Sequence, residues 1–121
     1  MHAARFTAEG PDAMEQAHGE DGVAEGPDGL FGAMAERMFS EVWSRPVLTG
    51  RDRRLLLVGL LVGQSMDDSL ERHLDTALRS GELTPADLRE TVVFLTLYAG
   101  WPRAARLSAQ VERLICRIAR A

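Results

Sequence analysis

Large apolar residues recur every three or four positions from residue 30 onward, which is the spacing of one face of an α-helix. The first predicted helix carries the stripe Leu30, Met34, Met38 and Val42. Pro46 ends this helix, because the residue before a proline avoids the α region. No segment alternates apolar and polar residues with a period of two, so no strand is predicted.

A second helix is predicted after Thr49, which with Asp52 has the spacing of a capping box. Its run from Leu55 to Gly63 is apolar on all sides. A helix of that kind is buried on every side, so it is expected either at the centre of the fold or in a subunit interface. A third helix is predicted over about residues 66–80.

Turn and capping residues mark two more helices. Thr84, Pro85 and Asp87 have the order of an N-cap, a proline at the first helical position and an acid at the third. Gly100 ends that helix and Pro102 opens the last one. The prediction is therefore a compact all-α domain of about five helices joined by short turns.

Residues 1–29 differ from the rest in composition, being rich in Gly, Asp, Glu and Ala. Residues 1–30 hold seven acids and one arginine, a net charge of −6, whereas residues 31–121 hold 11 acids and 13 arginines, a net charge of +2. We predict an acidic flexible arm over residues 1–29 and a folded domain over residues 30–121. Packing of the arm on a neighbouring subunit is the alternative. The near-neutral domain argues against a nucleic-acid partner.

Several classes of protein and site are not expected. The longest apolar run has nine residues, whereas a membrane-spanning helix needs about 20. No signal peptide is visible, so a cytoplasmic protein is expected. The single cysteine, Cys116, cannot form an internal disulfide. The sequence shows neither a phosphate-binding loop nor metal-ligand spacing, so no metal is expected.

His73 is the main candidate for chemistry, because His2 and His18 lie in the predicted arm. It falls on the apolar stripe of the third helix, between Leu70 and Leu74. One interpretation is a core histidine that bonds to a carbonyl or an acid. The other is an acid–base group that faces a pocket, since imidazole titrates near neutral pH.

Three arginines, Arg51, Arg53 and Arg54, fall in the first turn of the second helix. Positive charge there opposes the helix dipole. Asp52 and the acidic arm could neutralise it. Alternatively, the arginines could form an anion clamp, in which guanidinium groups add bidentate contacts to a helix N-terminus.

Three aromatic residues, Trp43, Tyr98 and Trp101, fall at predicted helix ends. Such residues usually lie in a core or an interface. They could also form the walls of a pocket for a flat, unsaturated ligand.

The sequence resembles the carboxymuconolactone decarboxylase family over about residues 30–115. The resemblance rests on EVWSRPVLTGRDRRL at residues 41–55, LERHLDTALRSG at residues 70–81, LTPADL at residues 83–88 and YAGWPRA at residues 98–104. It implies an alkylhydroperoxidase D-like helical fold that forms ring-shaped homo-oligomers, trimers or hexamers. The type member of the family is a decarboxylase that needs no cofactor.

The redox branch of that fold family uses a Cys-x-x-Cys, a histidine and a glutamate. By position these fall on Met66, Ser69, His73 and Arg54. Only the histidine of this set is present in the sequence. Thiol peroxidase activity is therefore the least expected of the three functions considered, the other two being a lyase and a non-catalytic binding or assembly protein.

The resemblance favours a cofactor-independent lyase that decarboxylates a small unsaturated acid or lactone such as a carboxymuconolactone. His73 would be the acid–base group and Arg53 would bind the carboxylate or the developing oxyanion. The substrate would be contacted by Trp43, Arg54, Tyr98 and Trp101. The main alternative is a non-catalytic ligand-binding or assembly protein that keeps the fold. The expected partners are a small organic acid and further copies of this chain.

Overall fold

The computed structural model describes residues 29–121, and over that range it consists of five α-helices without a strand. The helices are α1 (Leu30–Trp43), α2 (Gly50–Gly63), α3 (Asp67–Ser80), α4 (Pro85–Ala99) and α5 (Trp101–Arg120). The predicted all-α class and all five predicted helices are confirmed. The predicted arm lies outside the described residues except for Gly29.

The chain divides into two compact units after Arg54. The described part of the first unit comprises α1, the turn that follows it and the first turn of α2. The second unit comprises the rest of α2 and the helices α3, α4 and α5.

The helix ends follow the local chemistry of their capping residues. The Thr84 hydroxyl accepts a hydrogen bond from the Asp87 N–H at 3.1 Å, and the Asp87 carboxylate accepts one from the Thr84 N–H at 2.9 Å. Thr49 and Asp52 make the same reciprocal pair, both bonds at 3.0 Å. Both predicted N-terminal signals are thus confirmed. Gly81 ends α3 with a φ of +78°, where a residue with a side chain would be strained.

The core of the second unit combines residues of all four of its helices. Leu74 of α3 and Leu114 of α5 have no exposed surface, and neither has Val58 of α2. Burial of such a side chain contributes roughly 1.5–3 kcal/mol. The other members are Leu61, Val62, Leu70, Ala77, Leu83, Leu88, Leu107 and Val111.

The prediction that α2 is buried on every side is wrong for the single chain. Val58, Leu61 and Val62 are buried, but Leu56 is 65% exposed and Leu60 is 54% exposed. The core of the second unit covers one side of this helix and leaves the opposite side open. Burial of that side in a subunit interface stays a prediction.

Charged side chains join α3 to α5 along the edge of their contact. Glu71 accepts hydrogen bonds from Gln110 at 2.9 Å and from Arg113 at 2.8 Å. Arg117 pairs with Asp75 at 3.1 Å and with Glu71 at 3.5 Å. Arg106 pairs with Asp67 at the start of α3. We call this set the α3–α5 ladder.

A second charged contact joins α4 to α5. Arg89 donates two hydrogen bonds to the Glu112 carboxylate, at 2.9 and 3.0 Å. This pairing lowers the pKa of Glu112 and raises the pKa of Arg89.

One side of α4 exposes an uninterrupted row of apolar and aromatic side chains. Its members are between 58% and 78% exposed, and they are Val93, Phe94, Leu97, Tyr98 and, at the start of α5, Trp101. We call this row the α4 face. The rings of Phe94 and Tyr98 lie 5.2 Å apart. Exposed apolar rows of this kind are common at surfaces where proteins bind one another. Within residues 29–121, no helix has both the length and the apolar character needed to cross a membrane.

Candidate functional site

A buried arginine packs against a tryptophan in the first unit. The Arg54 side chain is 2% exposed, and its guanidinium carbon lies 5.7 Å from the centroid of the Trp43 ring. That distance is within the range of a cation–π interaction. Trp43 is itself buried and stacks on Phe39, with ring centroids 5.5 Å apart and an angle of 9° between the planes. The guanidinium of Arg54 thus lies against the Trp43 ring.

Arg53 is bound to the backbone of the turn between α1 and α2. Its Nη1 donates hydrogen bonds to the carbonyl oxygens of Leu48 at 2.5 Å and Trp43 at 3.3 Å. Its Nη2 donates to the carbonyl oxygen of Arg45 at 3.0 Å. Three of the five N–H groups of this guanidinium therefore hold the chain that leads from α1 to α2.

His73 lies on the buried side of α3 in the second unit and is 4% exposed. Its neighbours along that side, Leu70 and Leu74, belong to the core. The structure confirms the position of His73 on the apolar stripe. That position is compatible with both interpretations, the core histidine and the acid–base group.

Tyr98 and Trp101 lie at the end of α4 and the start of α5, as predicted, but they are 75% and 74% exposed. Both belong to the α4 face, so in the second unit of one chain these two side chains lie open to solvent. The six predicted site residues thus fall into two groups. Trp43, Arg53 and Arg54 are brought together in the first unit, and His73, Tyr98 and Trp101 belong to the second.

An open apolar groove that the sequence pattern did not reveal runs along α1. It has a volume of about 450 Å³ and is lined by Phe31, Met34, Ala35, Met38, Phe39, Val42 and Trp43. The spacing of these side chains predicts one helix face, but a helix face that lines a groove has the same spacing as one that lies in a core.

Thiols and metal ligands form no centre in the described part of the chain. No group of three or more His, Cys, Asp or Glu side chains within residues 29–121 is placed to hold a metal ion. Cys116 is exposed on α5. The positions at which the redox branch would place cysteines hold Met66 and Ser69.

Residues 28–113 match the family model described as the carboxymuconolactone decarboxylase family. The chain belongs to this family. The resemblance seen in the sequence is thereby confirmed, and the five-helix, all-α structure of residues 29–121 is consistent with the fold of the family.

Two curated relatives in the family carry activity names. The chain is 36% identical over 64 residues to a 4-carboxymuconolactone decarboxylase of Acinetobacter baylyi, a match that covers 53% of this chain and 47% of that protein. It is 35% identical over 82 residues to the nitrosuccinic acid decarboxylase npaB of Metarhizium robertsii, a match that covers 68% of this chain and 57% of that protein. The chain therefore spans about half the length of these relatives. No solved structure matches the chain.

Proposed function

We propose that this protein is a decarboxylase of small organic acids. The observation that supports this most strongly is that two relatives with different named substrates, 4-carboxymuconolactone and nitrosuccinic acid, share the same reaction type. The substrate of this chain is proposed to be an unsaturated or lactone-type acid.

The reaction sets two requirements for the protein. The bond between a substrate carbon and its carboxylate breaks, CO₂ leaves, and the electron pair stays on the substrate, where a neighbouring electron-withdrawing group accepts it. A proton is then added to the carbon that lost the carboxylate. A cation is needed near the negative charge, and an acid is needed for the proton. Because the substrate itself accepts the electron pair, we propose that no cofactor takes part.

His73 is the proposed acid. An imidazole exchanges protons near neutral pH, and at 4% exposure this one is largely shielded from water. In its protonated form it would transfer a proton to the substrate carbon and then recover one from solvent. Its neighbours on the helix, Leu70 and Leu74, are core residues.

Arg53 and Arg54 are the candidates for the cation, because both lie near the N-terminal end of α2. A guanidinium can bind a carboxylate with two parallel hydrogen bonds, and near an oxygen that becomes negative it lowers the barrier.

Copies of this chain are proposed to associate through the α4 face, as trimers or hexamers. Phe94, Tyr98 and Trp101 would together bury about 400 Å² if each contributes the exposed part of a typical aromatic surface. That is about half of the roughly 800 Å² that one partner of a standard interface buries. Tyr98 and Trp101 would then become pocket walls at a boundary between two copies.

The experiment is CO₂ release from 4-carboxymuconolactone, nitrosuccinate and close analogues by the full chain. His73→Gln is the matched variant, because glutamine keeps hydrogen-bonding groups at this position but does not transfer a proton near neutral pH. We expect release by the unchanged protein and a loss of about 10²-fold or more in the variant. Equal rates would remove His73 from the mechanism.

A non-catalytic ligand-binding or assembly protein is the second candidate, favoured by the arginine at position 54, where the redox branch carries a glutamate. Binding of small dicarboxylates without CO₂ release would support it. Thiol peroxidase activity is the third candidate, and we expect no Cys116-dependent consumption of peroxide.

A further inference from the structure

We propose that the α4 face of one copy packs against α1 of the next copy, so that the copies join head to tail into a closed ring. The inference rests on the association through the α4 face that is part of the proposed function. It adds the surface of the neighbouring copy on which the α4 face would lie.

The helix α1 exposes an apolar row of its own. Its members are between 52% and 86% exposed, and they are Leu30, Phe31, Met34, Met38 and Val42. Their spacing of three or four residues places them on one side of the helix. We call this row the α1 face. All of its members except Leu30 line the open groove along the same helix. An apolar helix side that meets water in the single chain is expected to bury itself against a partner.

The α1 face and the α4 face are the two long rows of exposed apolar side chains within residues 29–121. Each row has five members. The other exposed large apolar side chains of this range lie singly or in pairs, and they are Val47, Leu48, Leu56, Leu60 and Met66. An assembly that covers most of the exposed apolar surface therefore uses both rows.

The symmetry of the proposed trimers or hexamers favours contact between the two rows. A surface that pairs with the same surface of a second copy makes a two-fold dimer, whereas a closed ring of three or more copies is built from contacts between two different surfaces. In such a ring, the partner of the α4 face is another part of the chain. The α1 face is the row of matching length.

The two rows also match in area. The α1 face would bury about 400 Å² if each side chain contributes the exposed part of a typical apolar surface. The aromatic side chains of the α4 face would bury about the same area. Together the two rows would supply about 800 Å², which is close to the apolar share of the roughly 1,600 Å² that a standard interface buries.

The chemistry of the two rows is complementary. Met34 and Met38 would face the aromatic rings of the α4 face, and thioether sulfur makes favourable contacts with aromatic rings. Neither row contains a charged side chain, so the contact would bury no unpaired charge.

The contact would also join the two groups of predicted site residues across a boundary between copies. Trp43 is the last residue of α1, and Tyr98 and Trp101 belong to the α4 face. With α1 of one copy on the α4 face of the next, the aromatic walls of a pocket would come from neighbouring copies. Such a pocket would be complete only in the assembled protein.

Two complementary variants of the full chain test the head-to-tail contact by sedimentation velocity. Met34→Glu places a charge in the α1 face, and Leu97→Glu places one in the α4 face. Each variant alone should sediment as one chain of 13.3 kDa. An equimolar mixture at high protein concentration should form a dimer, because the intact α4 face of the first variant meets the intact α1 face of the second. The dimer should not grow further, since each of its two remaining faces carries the new charge.

Ala33→Glu is the matched control, because Ala33 is exposed on α1 outside the α1 face. This variant should assemble like the unchanged protein. Circular dichroism checks that each variant keeps its helices, and Met38→Glu takes the place of Met34→Glu if that variant does not fold.

Several results would overturn the inference. Dimers formed by each variant alone would show that each row pairs with its own kind. Normal assembly of Met34→Glu would show that something other than a neighbouring copy covers the α1 face, such as residues 1–28 of the same chain. A mixture of the two variants that stays monomeric would exclude the head-to-tail contact, and a monomeric unchanged protein would exclude it together with the α4 interface.

The measurement of mass is independent of the measurement of activity. A head-to-tail assembly that releases no CO₂ from any acid would support this inference and overturn the proposed decarboxylase. Release of CO₂ by a protein whose Met34→Glu variant assembles normally would support the decarboxylase and overturn this inference.

Discussion

The carbonyl oxygen of Trp43 accepts a hydrogen bond from Nη1 of Arg53 at 3.3 Å, across ten residues of sequence. The bond joins the last residue of α1 to the first turn of α2, so the backbone between the two helices forms a closed loop. The same guanidinium donates to Leu48 within that loop. One side chain thus determines how the first unit passes from one helix to the next.

Replacement of this side chain should lower stability. Arg53→Ala removes three hydrogen bonds from a charged donor to carbonyl groups, and we expect a loss of about 2 kcal/mol in the free energy of unfolding. Urea unfolding followed by circular dichroism measures it. Arg37→Ala, on the exposed surface of α1, is the control and should change stability by less than about 0.5 kcal/mol. Equal effects of the two substitutions would contradict the structural role of Arg53.

A substitution that leaves a cavity in the core of the second unit should lower the free energy of unfolding more than Arg53→Ala does. Leu114 has no exposed surface, so Leu114→Ala should lower the free energy of unfolding by about 3 kcal/mol. Val47→Ala, at a side chain that is 81% exposed, is the matched control and should have almost no effect. A small effect at Leu114 would contradict the contribution of this side chain to the core.

Charge reversal in the α3–α5 ladder should also destabilise the chain. Glu71→Lys would place a third cation beside Arg113 and Arg117, and it would remove an acceptor from the buried amide of Gln110. We expect a loss of about 2 kcal/mol, most of it from the amide that loses a partner. Thermal unfolding measures the melting temperature of Glu71→Lys. Glu90→Lys, at an exposed position of α4, is the control. If the two variants have the same melting temperature, the α3–α5 ladder does not contribute to stability.

The capping box of α2 should give stability that depends on pH. Hydrogen bonds from the backbone and side chain of Thr49, followed by the charges of Arg51 and Arg53, lower the pKa of Asp52 below 3.8. The unfolded chain therefore binds this proton at a higher pH than the folded chain does. The contribution is complete above about pH 4 and is lost as the pH falls through the folded pKa.

Asp52→Asn tests this contribution, because asparagine does not titrate. Its melting temperature should decline less steeply below about pH 4 than that of the unchanged protein. Glu41→Gln, at an exposed position of α1, is the control and should keep the original slope. An unchanged slope in Asp52→Asn would show that the capping carboxylate does not contribute.

The proposed association through the α4 face predicts a specific loss of assembly. Leu97 is 78% exposed in the single chain, so Leu97→Glu should leave the fold intact and convert a trimer or hexamer into monomers. Sedimentation velocity measures the mass, and circular dichroism checks the helices. Glu90→Gln, on the same helix, is the control and should assemble normally. An unchanged protein that sediments as a monomer would exclude this interface.

The helix ends were predictable because their signals are local. Thr84 with Asp87, and Thr49 with Asp52, satisfy the first N–H groups of a helix from within four residues, so no distant contact is needed to place them. The exposed side of α2 was not predictable. Its apolar run carries no helical period, so only the packing of α3, α4 and α5 determines that Leu56 and Leu60 stay outside.

The candidate site was predictable in part for the same reason. His73 is placed by its position in the apolar period of α3, which the sequence displays. Arg53 and Arg54 are adjacent and have the same relation to the helix dipole, so no local pattern distinguishes them. They differ because the turn after α1 brings the carbonyl groups of Arg45 and Leu48 to Arg53, and because the ring of Trp43 packs against Arg54.

The packing of Arg54 on Trp43 has a consequence for how these two positions can change in evolution or in a library of variants. A smaller residue at position 43 would leave a buried guanidinium beside an empty space, and an apolar residue at position 54 would leave an indole that no longer faces a charge. A change at either position is unfavourable as long as the other position keeps its original residue. Acceptable alternatives should therefore be found more often as pairs than singly, and scanning one position at a time would overstate the constraint on each.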